Sequence, residues 1–591
     1  MSTRGTFYHD IMNNPAIATL LEQVADLLEF QNSNPFRVRA YRSAARRIQD
    51  FPEPLSEIVA DGDRQLTDLD GIGKDMAAKI AELLETGKLS LLEELREQVP
   101  EEVFALLRIQ GLGPKKAAIL YKELGIASLE MLREACEAQQ VRALKGFGAK
   151  TEEAILAGIP LAEQAGKRIY WAEADQIAGE LLAHMRGEKS IRQIEFAGSY
   201  RRGRETVGDL DLLVDASRSG PVMDRLEEFA GVTDILARGE TKMSVRLEGG
   251  LQIDLRVVPA ESFGAALQYF TGSKEHNVVL RGMAKDRGLK VNEYGVYRVD
   301  QGGSEGDGES LAGRTEEDVY GVLELPCFPP EIREARQEFH WAKEGKLPEL
   351  IELKDVVGDL HMHTTATDGK ATLREMAAAA RERGLHYIAI TDHSKRVSMA
   401  RGLDEKRLRR QWEEVDELNG ELDDLLVLKG VECDVLEKGG MDLPDDVLAE
   451  ADWVVASLHY GQKQPRAQIM ARLLEAIEHP HVSILGHPTG RLINRREPYD
   501  VDVEQIIAAA AEQGKLLELN ANPARLDLND IHLAAASRHH VPVVISTDAH
   551  SVAGLDVMRY GVLQARRAGL TSKEVANTLP WEQVHQMIGN V

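Results

Sequence analysis

His361 and His363 lie two residues apart at the end of the apolar run VVGDLHMH, and Asp368 follows five residues later. In a strand, residues at that spacing point to one side. Two imidazoles and a carboxylate are metal-type ligands, and the following sequence repeats the theme. His393 ends YIAITDH, Glu432 lies in LLVLKGVEC and His459 ends DWVVASLH; His487 follows VSILG, and Asp548 and His550 end PVVISTDAH. Of 17 histidines, 13 fall beyond residue 354, so the clustering is not even scatter. All nine donors are nitrogen or oxygen, a mix that suits zinc, manganese or iron without choosing among them. Nine is too many for one tetrahedral ion and fits two or three ions sharing a carboxylate. Divalent ions grouped this way polarise phosphate oxygens and activate water near neutral pH, so phosphate-ester hydrolysis is the expected reaction.

A second signal is GSYRRGRETVGDLDLLV, residues 198–214. Asp209 and Asp211 alternate on one predicted strand and so face the same way. A third acid, Asp254, lies inside the apolar strand LQIDLRVV. Three clustered carboxylates suit two Mg²⁺ ions that activate a 3′-hydroxyl and hold a triphosphate. A D-x-D pair alone is common and reads more readily as a solvated acidic face. Gly198, Ser199 and Arg202 beside it favour phosphate contact. Upstream, LDGIGKDMAAKI, IQGLGPKKAAIL and LKGFGAKTEEAI repeat one pattern: glycine pairs Gly71/Gly73, Gly111/Gly113 and Gly146/Gly148, each followed by a helical stretch. Free amides at a helix start can cradle a DNA phosphate. One such turn is weak evidence and often only a turn; three beside NPFRVRAYRSAARR, with five arginines and no acid, resemble helix-hairpin-helix modules, which implies a hold on the DNA backbone without sequence reading.

These groups need elements to position them. With 591 residues the chain exceeds one hydrophobic core and predicts several domains. Residues 1–95 and 96–165 carry helical apolar spacing, and strand-like runs begin near 190. The proline- and charge-rich stretch 326–354 reads as a linker. Beyond it, seven apolar strands alternate with helical segments, which predicts a (β/α) barrel one unit short of eight. In a parallel barrel the strand ends converge, and the nine donors all sit there. The net charge of −26 argues against nucleic acid on its face, but the local arginine clusters matter more than the sum. Three scattered cysteines fit a reducing compartment. The start of the sequence has no signal-peptide layout, and a cytoplasmic location without membrane contact is expected.

The set H-x-H, D, H, E, H, H, D-x-H resembles the polymerase-and-histidinol-phosphatase (PHP) family, whose fold is a distorted (β/α)7 barrel with three metals. The resemblance implies one ion on His361, His363, Glu432 and Asp548, a second on Glu432, His459 and His487, and a third on Asp368, His393 and His550. Residues 190–320 resemble the palm and thumb of family X DNA polymerases, an α+β nucleotidyltransferase. The motifs are G-S-x-R-R, G-D-x-D, GETKM, YFTGS, RGMAKDRGLKVNEYG and the aspartate strand, in that order. This implies two Mg²⁺ ions on Asp209, Asp211 and Asp254, with Ser199, Arg202 and Gly208 bordering the triphosphate. Tyr269, Phe270 and Gly272 would lie beside the nucleotide sugar, and Asn277 and Arg281 would reach base pair and template. Lys274 departs from the pattern, standing where some relatives place an aspartate against the base. The glycine turns resemble helix-hairpin-helix modules. Lys79 matches the family's lyase lysine, but Asp75 and Ser43 replace supporting lysines, so lyase action is not expected.

The chain thus resembles bacterial family X polymerases with a C-terminal PHP domain. The expected divisions are 1–95, a helical 8-kDa-like domain; 96–165, fingers-like; 166–260, palm; 261–325, thumb; 326–354, linker; and 355–591, PHP. The implied function is a monomeric repair enzyme that fills gaps in DNA from dNTPs and trims 3′ ends with Mn²⁺, Zn²⁺ or Fe²⁺. Opening of abasic sites and removal of 3′-phosphates are further options for the barrel. Alternatives are chiefly a 3′-end nuclease with weak polymerase, a small phosphate-ester hydrolase, or a DNA-end-binding scaffold with structural metals. Complete ligand sets count against the scaffold, and the hairpins against a free phosphatase.

Overall fold

The computed structural model describes residues 14–588 except 32, 50–54, 61–63, 70–71, 87–88, 97–102, 104–105, 107–108, 110–111, 165–167, 248–249, 300–309, 494–495 and 497. The chain forms two compact units, Met1–Arg168 with Gly231–Asp234 and Arg246–Gln252, and Ile169–Ala230 with Ile235–Val245 and Ile253–Val591.

The first unit is helical. Ile17, Leu21, Val24 and Leu28 recur at helical spacing on the Asn14–Phe30 helix and are buried with Val38, Tyr41, Ala45 and Ile48 of Pro35–Gln49. Their cluster runs on without a break to Ile155 and Ile159. Each glycine turn opens a helix: Gly73 precedes Lys74–Thr86, Gly113 caps Pro114–Leu124, and Gly148 precedes Ala149–Gln164.

The second unit begins with β1 (Ile169–Tyr170), which pairs antiparallel with β3 (Thr206–Val207). A five-stranded sheet follows, formed by β2 (Ile191–Phe196), β4 (Asp209–Ala216), β5 (Val232–Arg238), β6 (Lys242–Leu247) and β7 (Gln252–Val257), in the order β2-β4-β7-β6-β5. On β4, Leu210 and Leu212 are fully buried, which turns Asp209 and Asp211 together to the other face. The helices Phe263–Thr271 and Lys274–Asp286 pack on the antiparallel strands β8 (Leu289–Asn292), β9 (Gly295–Arg298) and β10 (Ser310–Ala312). Residues 326–350, within the expected linker, are folded onto this thumb. Phe328, Ile332 and Leu350 are buried in its core with Tyr320, because the prolines there surround large apolar side chains.

The remainder is a parallel sheet of seven consecutive strands: β11 (Gly358–Asp359), β12 (Tyr387–Ile390), β13 (Leu426–Asp434), β14 (Trp453–Ser457), β15 (Ile484–Leu485), β16 (Leu516–Asn520) and β17 (Val543–Ser546). Just beyond the strand ends the barrel closes: the Asp548 amide donates to the His361 carbonyl at 2.9 Å, and the His363 amide to the Ala549 carbonyl at 2.8 Å. The closing bonds are made by the metal-type residues themselves.

Candidate active sites

The barrel brings the nine predicted donors into one cluster, with five histidines around Glu432. Glu432, at the end of β13 and fully buried, lies 2.7 Å from His393, 3.0 Å from His487, 3.3 Å from His459, 3.5 Å from His361 and 3.7 Å from His363. Asp548 lies 3.2 Å from His363 and 3.7 Å from both His361 and His550. Asp368 lies 3.5 Å from both His393 and His550. Ligand atoms within 4.8 Å of one another define three sets: His363, Asp368, His393 and His550; His361, His363 and Asp548; and His393, Glu432 and His459. His363 and His393 each belong to two sets, so the groups overlap more than the motif order implied. His487 and Asp548 take positive φ values of 28° and 54°, backbone conformations that surrounding packing must hold.

These residues fit divalent ions. Nε2 of His361, both ring nitrogens of His363, Nδ1 of His487 and Oε2 of Glu432 are buried yet accept or donate no hydrogen bond among the described residues. Buried polar atoms of that kind ordinarily have partners, and a cation supplies them. Charge is unbalanced in the same way. Burial and the neighbouring His393 push His363 down to about 4, whereas His393, although buried, is held up near 10 by Glu432 and Asp368. Burial opposes ionisation of Glu432, but His459, His393 and His361 hold it well below the carboxylate range. A bound cation would take the place of the protons that these histidines otherwise share with Glu432 and Asp368. It opens into a cavity of about 410 Å³, within the size range of small-ligand sites, whose lip includes Val397 and Met399.

Four residues that the motif reading passed over complete this arrangement. Glu518 of β16 accepts from His361 Nδ1 at 2.6 Å and from the His487 amide at 2.5 Å. Asp434 of β13 accepts from the amide and Nδ1 of His459 at 2.9 and 3.2 Å. Asn520 donates to Asp548 at 3.1 Å, and Arg525 approaches the same carboxylate to 3.6 Å while lining the cavity. Partners on the far ring nitrogen fix a histidine's tautomer and aim its other nitrogen. A signal was present: Glu518 and Asn520 alternate in LLELN, polar residues in an apolar strand that had no ligand of its own.

In the palm, Asp211 and Asp209 lie on β4 and Asp254 on the neighbouring β7. Burial and the Asp209 and Asp254 charges push the Asp211 carboxyl up to about 7, the electrostatic mark of carboxylates awaiting a cation. Ser244 donates to Asp254, and Lys242 stands 3.9 Å from it. Gly198 has φ +65°, and a Cβ there would overlap the Asp211 carboxylate, so only glycine lets the 198–203 loop sit against it. Gly208 and Asp209 are exposed beside it. Arg202 is engaged, donating to Glu334 at 3.0 Å and to the Thr271 carbonyl at 2.8 Å. Asn277 is buried, donating to the carbonyls of Tyr269 at 2.7 Å and Gly272 at 3.2 Å, so it shapes the Tyr269–Gly272 turn. Tyr269 and Phe270 stand edge to face at 5.1 Å, with Arg256 over the Phe270 ring. Lys274 and Arg281 are exposed on one helix.

Among the hairpins, a Cβ at Gly73, Gly113, Gly146 or Gly148 would meet nothing within 4 Å. The backbone at Gly146 itself calls for glycine, with φ +90°, whereas neither packing nor a positive φ demands one at Gly73, Gly113 or Gly148, which suits close approach of an outside group there. Gly71 and Gly111 lie outside the described residues. Lys79 makes a 2.5 Å ion pair with Asp75; burial opposes its charge, but that hydrogen bond raises its pKa and keeps it an ammonium. An ammonium is not a nucleophile.

Fold and sites together define a two-centre enzyme of phosphate chemistry, a nucleotidyltransferase palm and thumb joined to a (β/α)7 metal barrel behind helix-hairpin-helix modules. Family models match residues 12–89 as a helix-hairpin-helix domain, 103–159 as a SAM-like helix-hairpin-helix tandem, 266–334 as a DNA polymerase beta thumb and 359–522 as a PHP domain. DNA polymerase/3'-5' exonuclease PolX of Bacillus subtilis (strain 168) is 43% identical over 579 residues, covering 98% of this chain and 99% of that protein. DNA polymerase lambda of Rattus norvegicus is 31% identical over 345 residues, 54% of this chain and 56% of its own. A probable phosphatase of Thermoanaerobacter sp. (strain X514) is 30% identical over 236 residues, 38% of this chain and 91% of its own. The chain belongs to the bacterial family X DNA polymerases that carry a C-terminal PHP domain. Its two centres imply divalent metal ions. No helix among the described residues is long and apolar enough to cross a membrane.

Proposed function

We propose that this chain is a DNA-repair enzyme that fills short gaps by template-directed synthesis and trims 3′ ends by hydrolysis. One observation carries the reading: a carboxylate-bearing palm and a barrel with nine convergent donors occur in a chain alike from end to end to a polymerase/3'-5' exonuclease. The substrates would be gapped or primer–template DNA and dNTPs, met as a monomer in the bacterial cytoplasm. The division into 1–95, 96–165, 166–260, 261–325 and 355–591 serves those tasks in order.

In synthesis the primer 3′-oxygen attacks the α-phosphate of the incoming nucleotide, and pyrophosphate leaves. Asp209, Asp211 and Asp254 would hold two Mg²⁺ ions, which when bound stabilise the charge that develops on those oxygens. Ser199 and the loop amides after Gly198 border the triphosphate, and the Tyr269–Gly272 turn, held by Asn277, borders the sugar. In the barrel, His361, His363, Asp368, His393, Glu432, His459, His487, Asp548 and His550 would hold two or three ions, with Mn²⁺ supporting hydrolysis. Glu518 and Asp434 orient His361 and His459, and Arg525 gives the substrate phosphate a counter-charge.

The test is a labelled gapped primer–template, with and without dNTPs, in Mg²⁺ and in Mn²⁺. Asp209→Ala/Asp211→Ala should abolish extension and spare shortening; His361→Ala/His363→Ala should do the reverse. Primer shortening that survives in the histidine variant sinks the barrel assignment, and extension without both aspartates sinks the palm assignment.

A further inference from the structure

The Met558–Arg567 helix of the barrel serves two faces. On one, Gly561 seats it against Ile545 of β17 and Ala521 beyond β16, where a side chain would overlap both. On the other, it grips the polymerase loop that starts at Gly198. Leu563 lies against Gly203 so closely that a Cβ there would come within 2.6 Å of it. Gln564 donates to the Gly203 carbonyl at 3.0 Å, and Arg567 Nη1 donates to the Arg202 carbonyl at 2.6 Å. The rest of the Arg567 guanidinium is satisfied by Glu334 at 3.0 Å and Asp530 at 2.7 Å, with its side chain 2% exposed. Glu334 also accepts from Arg202, which in turn donates to the Thr271 carbonyl. The loop is thus held by the barrel helix, by Glu334 and by the end of the Phe263–Thr271 helix, while its first residue abuts Asp211.

We propose that Arg567, a residue of the hydrolytic barrel, is a positioning residue for synthesis: it clamps the 198–203 loop so that the triphosphate meets Asp209 and Asp211 in register. Three acceptors from three directions suit the rigid fork of a guanidinium, which a lysine ammonium cannot reproduce. With its guanidinium buried and engaged by Arg202, Glu334 and Asp530, Arg567 would not reach substrate or reacting atoms. It acts through the Arg202 and Gly203 backbone, and misplacement of about 1 Å at such a distance costs up to roughly 100-fold in kcat/KM. The proposal rests on the palm being a polymerase.

The experiment uses full-length wild type, Arg567→Ala, Arg567→Lys and Gln564→Ala in single-nucleotide gap filling, with exonuclease activity measured on the same DNA without dNTPs. Arg567→Ala should raise the dNTP KM about tenfold, more than it lowers kcat, with exonuclease turnover unchanged. Arg567→Lys should recover part of the loss, and Gln564→Ala should show a smaller shift in the same direction. An unchanged dNTP KM in the Arg567 and Gln564 variants overturns the proposal, as does a proportional fall of both activities, which marks a merely structural contact. If Arg567→Ala does not fold, Gln564→Ala decides alone, since it removes one hydrogen bond. Failure of the wild type itself to extend the primer would instead overturn the palm reading, and the proposal with it.

Discussion

Replacing Glu518 with glutamine should weaken metal binding in the barrel while leaving its shape intact. The carboxylate is fully buried and accepts from three donors at once, His361 Nδ1 at 2.6 Å, the His487 amide at 2.5 Å and the Asn520 side-chain amide at 3.3 Å. Glutamine has one acceptor oxygen and one amide nitrogen, so one of those donors must face another donor. If it is His361, the ring is driven to the wrong tautomer or rotates, and Nε2 no longer presents its lone pair toward Glu432 and Asp548. If it is the His487 amide, the backbone held at positive φ shifts with its ring. Leaving one buried donor unsatisfied costs about 1–3 kcal/mol. At 1.4 kcal/mol per factor of ten, that is roughly 10–100-fold in metal affinity. The assay is exonuclease activity against Mn²⁺ concentration, with calorimetric Mn²⁺ titration of the same protein. Half-saturation should move up by that factor, maximal turnover should return at high Mn²⁺, and gap filling in Mg²⁺ should not change. A wild-type Mn²⁺ profile would refute the argument, and so would an activity loss that no Mn²⁺ concentration restores.

Three other outcomes follow from the geometry. Gly198→Ala places a methyl group on the Asp211 carboxylate at φ +65°, so extension should fall at least tenfold while exonuclease activity persists, as a primer-extension time course would record. Gly113→Ala meets open space at an ordinary backbone angle, so Tm should hold or rise slightly, by up to about 1 kcal/mol of stability, while affinity for gapped DNA falls. The raised pKa of Asp211, about 7, means that below that pH a cation must displace a proton. The Mg²⁺ concentration for half-maximal extension should therefore climb about tenfold from pH 8 to 6, about fivefold of it below pH 7, and flatten above pH 8; a flat profile across pH 6–8 would contradict the carboxylate coupling.

Much of the molecule is legible in one dimension because its chemistry is local to strand ends. The alternation of apolar runs with helical segments predicted seven parallel strands, and β11 to β17 pair in that order. His361, His363, Glu432, Asp548 and the rest converge because parallel strands bring their ends to one face. Alternation on β4 likewise turned Asp209 and Asp211 to the same side. The prolines and charges of residues 326–350 resemble a linker, yet Phe328 and Ile332 are buried in the thumb core.

Partnership is what composition and spacing leave open. That Arg202 would be tied to Glu334, that Glu518 would aim His361, and that Arg567 would reach the Arg202 carbonyl depends on pairs separated by 132, 157 and 365 positions. A residue's type is written in the chain and its strand's period tells which side it faces, but a hydrogen bond needs two atoms within about 3 Å. Only tertiary packing, within the barrel for Glu518 and of barrel against palm for Arg567, brings such distant atoms together. Local sequence therefore specified the donors and the strands that carry them; the folded arrangement decided which histidines and carboxylates lie together and which barrel residues reach the palm.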